Sequence, residues 1–154
     1  YKAALKGRDM FLGLSVGGIL NSADLATMSQ KAIVFALANP DPEVDPAERT
    51  PNIAVMATGS SRYLNQINNA LAFPGIFRGA IEAGVQSITD EMCIEAAKAI
   101  AALISKDQLD ADYIIPTVLE PVSKSDKRSR VALAVASAVT KFAAEKGLAR
   151  RNVK

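Results

Sequence analysis

The chain has 154 residues, 49% apolar and 22% charged, enough to bury a core and unlike a disordered segment. A net charge of +2 is too small to argue for nucleic acid, and the absence of histidine excludes a His base, a His metal ligand or a Ser-His-Asp triad. The single cysteine, Cys93, excludes an internal disulfide or a cysteine-built zinc cage, and no apolar run reaches the ~20 residues of a membrane span.

In chain order, Tyr1 to Lys6 reads as the tail of a helix closed by Gly7. Met10 to Leu14 follows as a short buried strand, broken by the glycine-rich turn Ser15-Val16-Gly17-Gly18. Ser22 to Met28 can form a short helix capped by Asn21 or Ser22. Ala32 to Leu37 is the clearest strand, continuous, β-rich and ended by Asn39-Pro40. Runs of this kind are typical of a parallel sheet covered on both faces. After a proline-punctuated acidic loop, Pro46 is placed to open a brief helix. Ile53 to Ala57 is a third strand, followed by the turn Thr58-Gly59-Ser60-Ser61. From about Gln66 to Gly84 the pattern is helical, with Pro74 ending or kinking it. Asp90 to Ile104 is an amphipathic helix, Tyr113 to Pro116 an extended piece, and Ser125 to Lys146 a last helix stopped by Gly147.

This order predicts an α/β fold, a partial Rossmann-like parallel sheet of about three strands with flanking and C-terminal helices. Residues 1–62 hold the strand and helix units and residues 63–154 are mainly helical. The stretch Gly13 to Gly18 lacks the G-x-G-x-x-G spacing of a dinucleotide fold's opening turn and falls in mid-order. The first residues also read as the end of an element, so the chain is expected to be a fragment.

Ligands of an open parallel sheet bind outside the carboxyl ends of its strands. Three loops leave those ends here: Ser15–Gly18, Ala38–Asp41 and Thr58–Asn69. Asn39 is either an Asx turn that caps its own backbone or a carboxamide offered to a neutral amide such as nicotinamide. Asn65, Gln66, Asn68 and Asn69 put four carboxamides at what reads as the mouth of a helix. Capping accounts for one; Asn68 and Asn69, poor formers placed one turn into an apolar helix, point to a ligand. Asp41, Glu43 and Asp45 lack the spacing of a calcium loop and read as a solvated acidic loop. Cys93 reads as a small, partly buried side chain, and the basic residues near Lys124–Arg128 and Arg150–Arg151 as a solvated helix end or tail.

Four ordered motifs carry a resemblance. Ile33-Val34-Phe35-Ala36-Leu37-Ala38-Asn39-Pro40-Asp41-Pro42-Glu43 resembles the IVFALANPxPE segment of bacterial malic enzymes. The stretch from Ala57 to Ala80 is similar to that family's ATGRSDxPNQxNNxLAFPGIFRGA, with Ser60 where the pattern has arginine and Leu64 where it has proline. Ile88 to Met92 and Asp112 to Pro116 match two further landmarks, and the likeness runs from the first residues to Arg151. After Pro116 the chain runs differently, through an extra charged stretch to Arg130.

The resemblance implies the C-terminal part of an NAD(P)-binding domain, in an enzyme that converts malate to pyruvate and carbon dioxide with NAD or NADP and a divalent metal (Mg or Mn). It implies substrate contact by Asn39 and Asn69, and cofactor contact by Asn39, Asn68 and the turn Ser15, Val16 and Gly17. The family's catalytic tyrosine and lysine, its metal ligands and its phosphate turn would lie upstream of residue 1. No residue of this chain is therefore assigned proton transfer or metal binding, and the chain alone is expected to be inactive. A cytoplasmic homo-oligomer acting on malate or pyruvate is expected, without nucleic-acid or membrane partners. The competing readings are a non-catalytic module that completes its sheet with a partner chain, and a domain for a different dinucleotide.

Overall fold

The computed structural model describes residues 1–151; residues 152–154, the last of the expected domain span, lie outside the described residues. The chain forms two compact units.

The first unit comprises Tyr1–Asn68 and Leu109–Ile114. Its strands β1 (Met10–Gly13), β2 (Ala32–Ala36) and β3 (Ile53–Thr58) lie in the order β1-β2-β3. Both pairings are parallel, with Met10 opposite Ile33 and Ala36 opposite Thr58. This is the α/β parallel sheet expected from the sequence. Short helix α1 (Ser22–Leu25) begins where the sequence predicts, with Asn21 and Asp24 forming a reciprocal capping box. Brief 3-10 turns occupy Lys2–Leu5 and Pro46–Glu48, the second opened by Pro46.

One sheet face carries Val34, Ala36 and Met56 into a core with Leu25, Met28 and Val44. The other differs from expectation: Met10 and Leu12 are exposed, and Ile33, Phe35 and Val55 only half-buried. Side chains alternate across a strand, and the described residues close the second face only toward the end of β3, where Ala57 is buried. Asn52 is buried under this unit and donates to the carbonyls of Leu25 and Met28 at 3.0 and 3.2 Å, joining α1 to the start of β3.

The second unit comprises Asn69–Gln108 and the chain from Ile115 onward. It holds α2 (Phe73–Ala83), α3 (Asp90–Ala101) and α4 (Arg130–Glu145), preceded by a 3-10 turn at Asn69–Leu71. The helix expected from Gln66 begins instead at Phe73. Pro74 falls in its first turn, where its missing N–H is needed by no intrahelical bond. The helix expected from Ser125 begins at Arg130, capped by Ser129. Residues before it fold into turns, where Arg128 grips Asp126 at 2.7 Å and pulls its carboxyl down to about 2. Cys93 is exposed rather than partly buried, because Met92, Ala96 and Ile100 form the packed stripe of α3. Arg150 and Arg151 are not a free tail: their backbone amides donate to Ala83 and their side chains to Gln86 and Ile81 near the C-terminus of α2, the end that favours cations.

α2 and α4 meet through glycine. A methyl group on Gly79 would stand 2.6 Å from the Ala136 carbonyl oxygen and 2.9 Å from Val139 Cβ. Backbone cannot yield as a side-chain tip can, so Gly79→Ala is expected to cost about 2 kcal/mol through overpacking. Urea unfolding followed by the helical circular-dichroism signal reads that loss. An unchanged midpoint would mean that the two helices can separate freely.

Candidate functional site

All three loops at the carboxyl ends of the strands belong to the first unit except for their last residue, Asn69. The turn after β1 is stitched to the turn after β2 by one buried side chain. Glu43 has no exposed surface. Its Oε1 accepts from the Ser15 backbone N–H at 2.8 Å and from Ser15 Oγ at 3.1 Å, while Oε2 accepts from the Ala38 N–H at 3.0 Å. The backbone adds two links, Gly18 N–H to Pro42 O at 3.0 Å and Leu20 N–H to Glu43 O at 2.9 Å. Glycine is required on both sides of this stitch. A Cβ on Gly13 would meet Glu43 Cδ at 2.5 Å, and one on Gly17 would meet the Asp41 carbonyl oxygen at 2.6 Å.

Asp41, Glu43 and Asp45 therefore do not form the single solvated acidic loop that their spacing predicts. Asp41 is exposed and paired with Arg62 at 2.8 Å, and Asp45 accepts from Ala47 N–H at 2.9 Å as a helix cap. Glu43, between buried Pro42 and Val44, is interior. Those apolar neighbours are the one sequence signal that could have singled it out.

Ser15 and Gly17 are thus brought against the segment that carries Asn39. Val16 projects an exposed apolar side chain between them. Asn39 is exposed at the exit of β2, and its peptide bond to Pro40 is cis. Its carboxamide, able to donate and accept at once, is available to a carboxamide or carboxylate ligand.

The loop after β3 sorts the four carboxamides. Asn65 is buried with φ 52°. Its Nδ2 donates to Met56 O at 3.1 Å and Ala111 O at 2.8 Å, and its Oδ1 accepts from the Ile114 N–H at 2.9 Å. Gln66 bridges to Thr58 beside β3. Asn68 is half-buried and donates from Nδ2 to Gly59 O at 2.9 Å. Asn69 is exposed and opens the 3-10 turn of the second unit. Both residues precede α2, so helix propensity does not bear on either of them; their polarity stands by itself.

Among the described residues, no three His, Cys, Asp or Glu side chains gather to hold a metal ion. Glycine-lined backbone, the Ser15 hydroxyl and the Asn39 carboxamide lie at the carboxyl ends of β1 and β2. No helix among the described residues is long and apolar enough to cross a membrane.

Comparison with known proteins bears on this arrangement. The family model described as malic enzyme, NAD binding domain, matches residues 9–144. The chain belongs to the malic enzyme family. It is 46% identical to an NAD-dependent malic enzyme of Geobacillus stearothermophilus over 96% of its length, and 46% identical to a bifunctional malic/malolactic enzyme of Bacillus subtilis over 99%. It spans 29% and 35% of those two relatives, about a third of each. Among solved structures, the malic enzyme of Pyrococcus horikoshii is similar with a TM-score of 0.84 at 40% identity, over 99% of this chain and 34% of that one. That of Entamoeba histolytica gives 0.86 at 33% identity, over 99% and 30%. The NAD-binding-domain match takes in the Ser15–Gly17 turn, Asn39 and the Asn68-Asn69 pair.

Proposed function

We propose that this chain supplies part of the crevice in which a malic enzyme holds NAD or NADP against malate, for oxidative decarboxylation to pyruvate and carbon dioxide. One observation carries the reading: Glu43 ties the glycine turn after β1 to the Asn39 turn after β2, at the ligand-binding end of a parallel sheet. Asn39 is assigned to substrate and the nicotinamide carboxamide, Asn69 to a substrate carboxylate, and Asn68 with Ser15, Val16 and Gly17 to the cofactor. The bound cofactor supplies a hydride acceptor. This chain's residues orient it and present amide hydrogen bonds to a small diacid.

No proton transfer or metal binding is assigned to any residue here. The 154-residue chain alone is therefore proposed to be inactive. Incubation with malate, NAD or NADP and manganese tests this, and sustained reduction of cofactor would refute it. Binding tests the site. Titration with NADH and NADPH, read by nicotinamide fluorescence, is expected to saturate, and Asn39→Ala to weaken it by about tenfold, one or two hydrogen bonds' worth. Because Asn39 is exposed, the variant's stability is expected to stay within ~0.5 kcal/mol. Equal affinity in the variant would remove Asn39 from the site.

A second reading has its own support. β1 pairs only with β2 among the described residues, and Met10 and Leu12 beside its free edge are exposed. Such an edge pairs readily with another strand. In that reading the half-sheet completes itself with a partner chain, or with a second copy as a homo-oligomer. Sedimentation of a monomer across a wide concentration range would count against it.

A further inference from the structure

We propose that Arg62 is a positioning residue for Asn39, a clasp thrown from the loop after β3 over the Asn39–Asp41 turn; its functional part rests on the reading of Asn39 as a ligand contact. Arg62 Nη2 donates to Pro40 O at 3.2 Å and to Asp41 Oδ1 at 2.8 Å. Its Nε donates to Ser60 Oγ at 3.2 Å, and the same hydroxyl accepts from the Arg62 backbone N–H at 3.3 Å. The guanidinium lies 5.7 Å from the centre of the Tyr63 ring. Three acceptors and a ring fix the plane of the fork from both ends, a geometry open to arginine and closed to the point charge of lysine.

The need for a clasp follows from what else holds the turn. Glu43 secures it at Ala38 and Gly18 secures it at Pro42. Between those anchors Asn39, Pro40 and Asp41 are exposed, and Arg62 bonds to the latter two. An exposed ion pair of this kind contributes little to stability, so folding alone does not explain an arginine spread over three partners. What it does fix is the Pro40 carbonyl and the Asp41 side chain, the groups that immediately follow Asn39.

The family pattern ATGRSD carries arginine where this chain has Ser60 and aspartate where it has Arg62. The cation stands two residues later here, and Asp41 supplies the anion opposite it.

A double-mutant cycle separates positioning from general support. Arg62→Ala is expected to weaken NADH and NADPH binding about tenfold in the native background, and less than twofold when Asn39 is already alanine. Arg62→Lys is expected to recover only part of the loss. The melting temperature is expected to stay put, and 15N relaxation to show new fast motion at Asn39 and Asp41 but none at Ser15 or Ala38. Unchanged relaxation at Asn39 and Asp41 in Arg62→Ala overturns the clasp. Losses that simply add in the double variant overturn the route through Asn39. If the native chain binds neither cofactor, the proposed function fails, and the relaxation data still judge the clasp.

Discussion

Glu43→Gln is expected to lower the unfolding free energy by about 3 kcal/mol and, under the proposed function, to weaken nicotinamide-cofactor binding with it. The substitution keeps shape and volume and changes only hydrogen-bond character. Every group around the carboxylate is a donor or can act as one: the Ser15 N–H, the Ser15 hydroxyl and the Ala38 N–H. A carboxamide must turn its NH2 toward one of the two backbone amides, setting donor against donor inside the protein. Hydrogen bonds to a charged acceptor contribute roughly 1.5–3 kcal/mol each, and a buried amide left unpaired costs a similar amount. Ser15→Ala, which removes only the hydroxyl, is expected to cost about 1 kcal/mol. Urea denaturation of both variants checks the order. A Glu43→Gln loss no greater than that of Ser15→Ala would show that the stitch depends on neither charge nor acceptor count.

Asn65→Ala is expected to cost about 4 kcal/mol, more than Glu43→Gln. Three bonds disappear, one buried to Met56 and two part-buried to Ala111 and Ile114, and the backbone keeps a φ of 52° that alanine adopts poorly. Asn65→Gly separates these causes. It relaxes the backbone demand and loses the same bonds, so it is expected to recover about 1 kcal/mol of the loss. Asn65→Asp would face two carbonyl oxygens with a carboxylate and is expected to be no better than alanine. Thermal and urea unfolding of the three variants rank them, and a stable Asn65→Ala would mean that Ala111 and Ile114 dock by apolar packing alone.

These two residues mark where the sequence is legible and where it is not. The strands from Ala32 and from Ile53 announce themselves as apolar runs between turn residues, and the capping pair Asn21 and Asp24 starts α1 where local chemistry says it must. Gly84 and Gly147 end helices in the left-handed conformation that glycine permits. Local rules suffice for all of these. Glu43 resists because charged residues are ordinarily outside, and its partners are backbone amides that no side-chain pattern advertises. Asn65 resists because two of its partners, Ala111 and Ile114, come from residues far along the chain. α4 starts later than the sequence pattern predicts for a local reason: the Ser123 hydroxyl and the Asp126 carboxylate accept from nearby backbone amides and hold turns across the stretch expected to open the helix. Of the candidate site, Asn39 and the Ser15–Gly17 turn are legible because a parallel sheet dictates where its loops gather. That a buried glutamate joins them is not.

A turn anchored from within gives up its freedom when the chain folds and has little left to lose afterwards. Under the proposed function, cofactor binding at the Ser15–Gly17 turn is therefore expected to proceed with a modest entropic penalty and with on-rates unslowed by rearrangement. Calorimetry would register that as a favourable signal whose heat capacity reflects buried ligand surface and not newly ordered polypeptide.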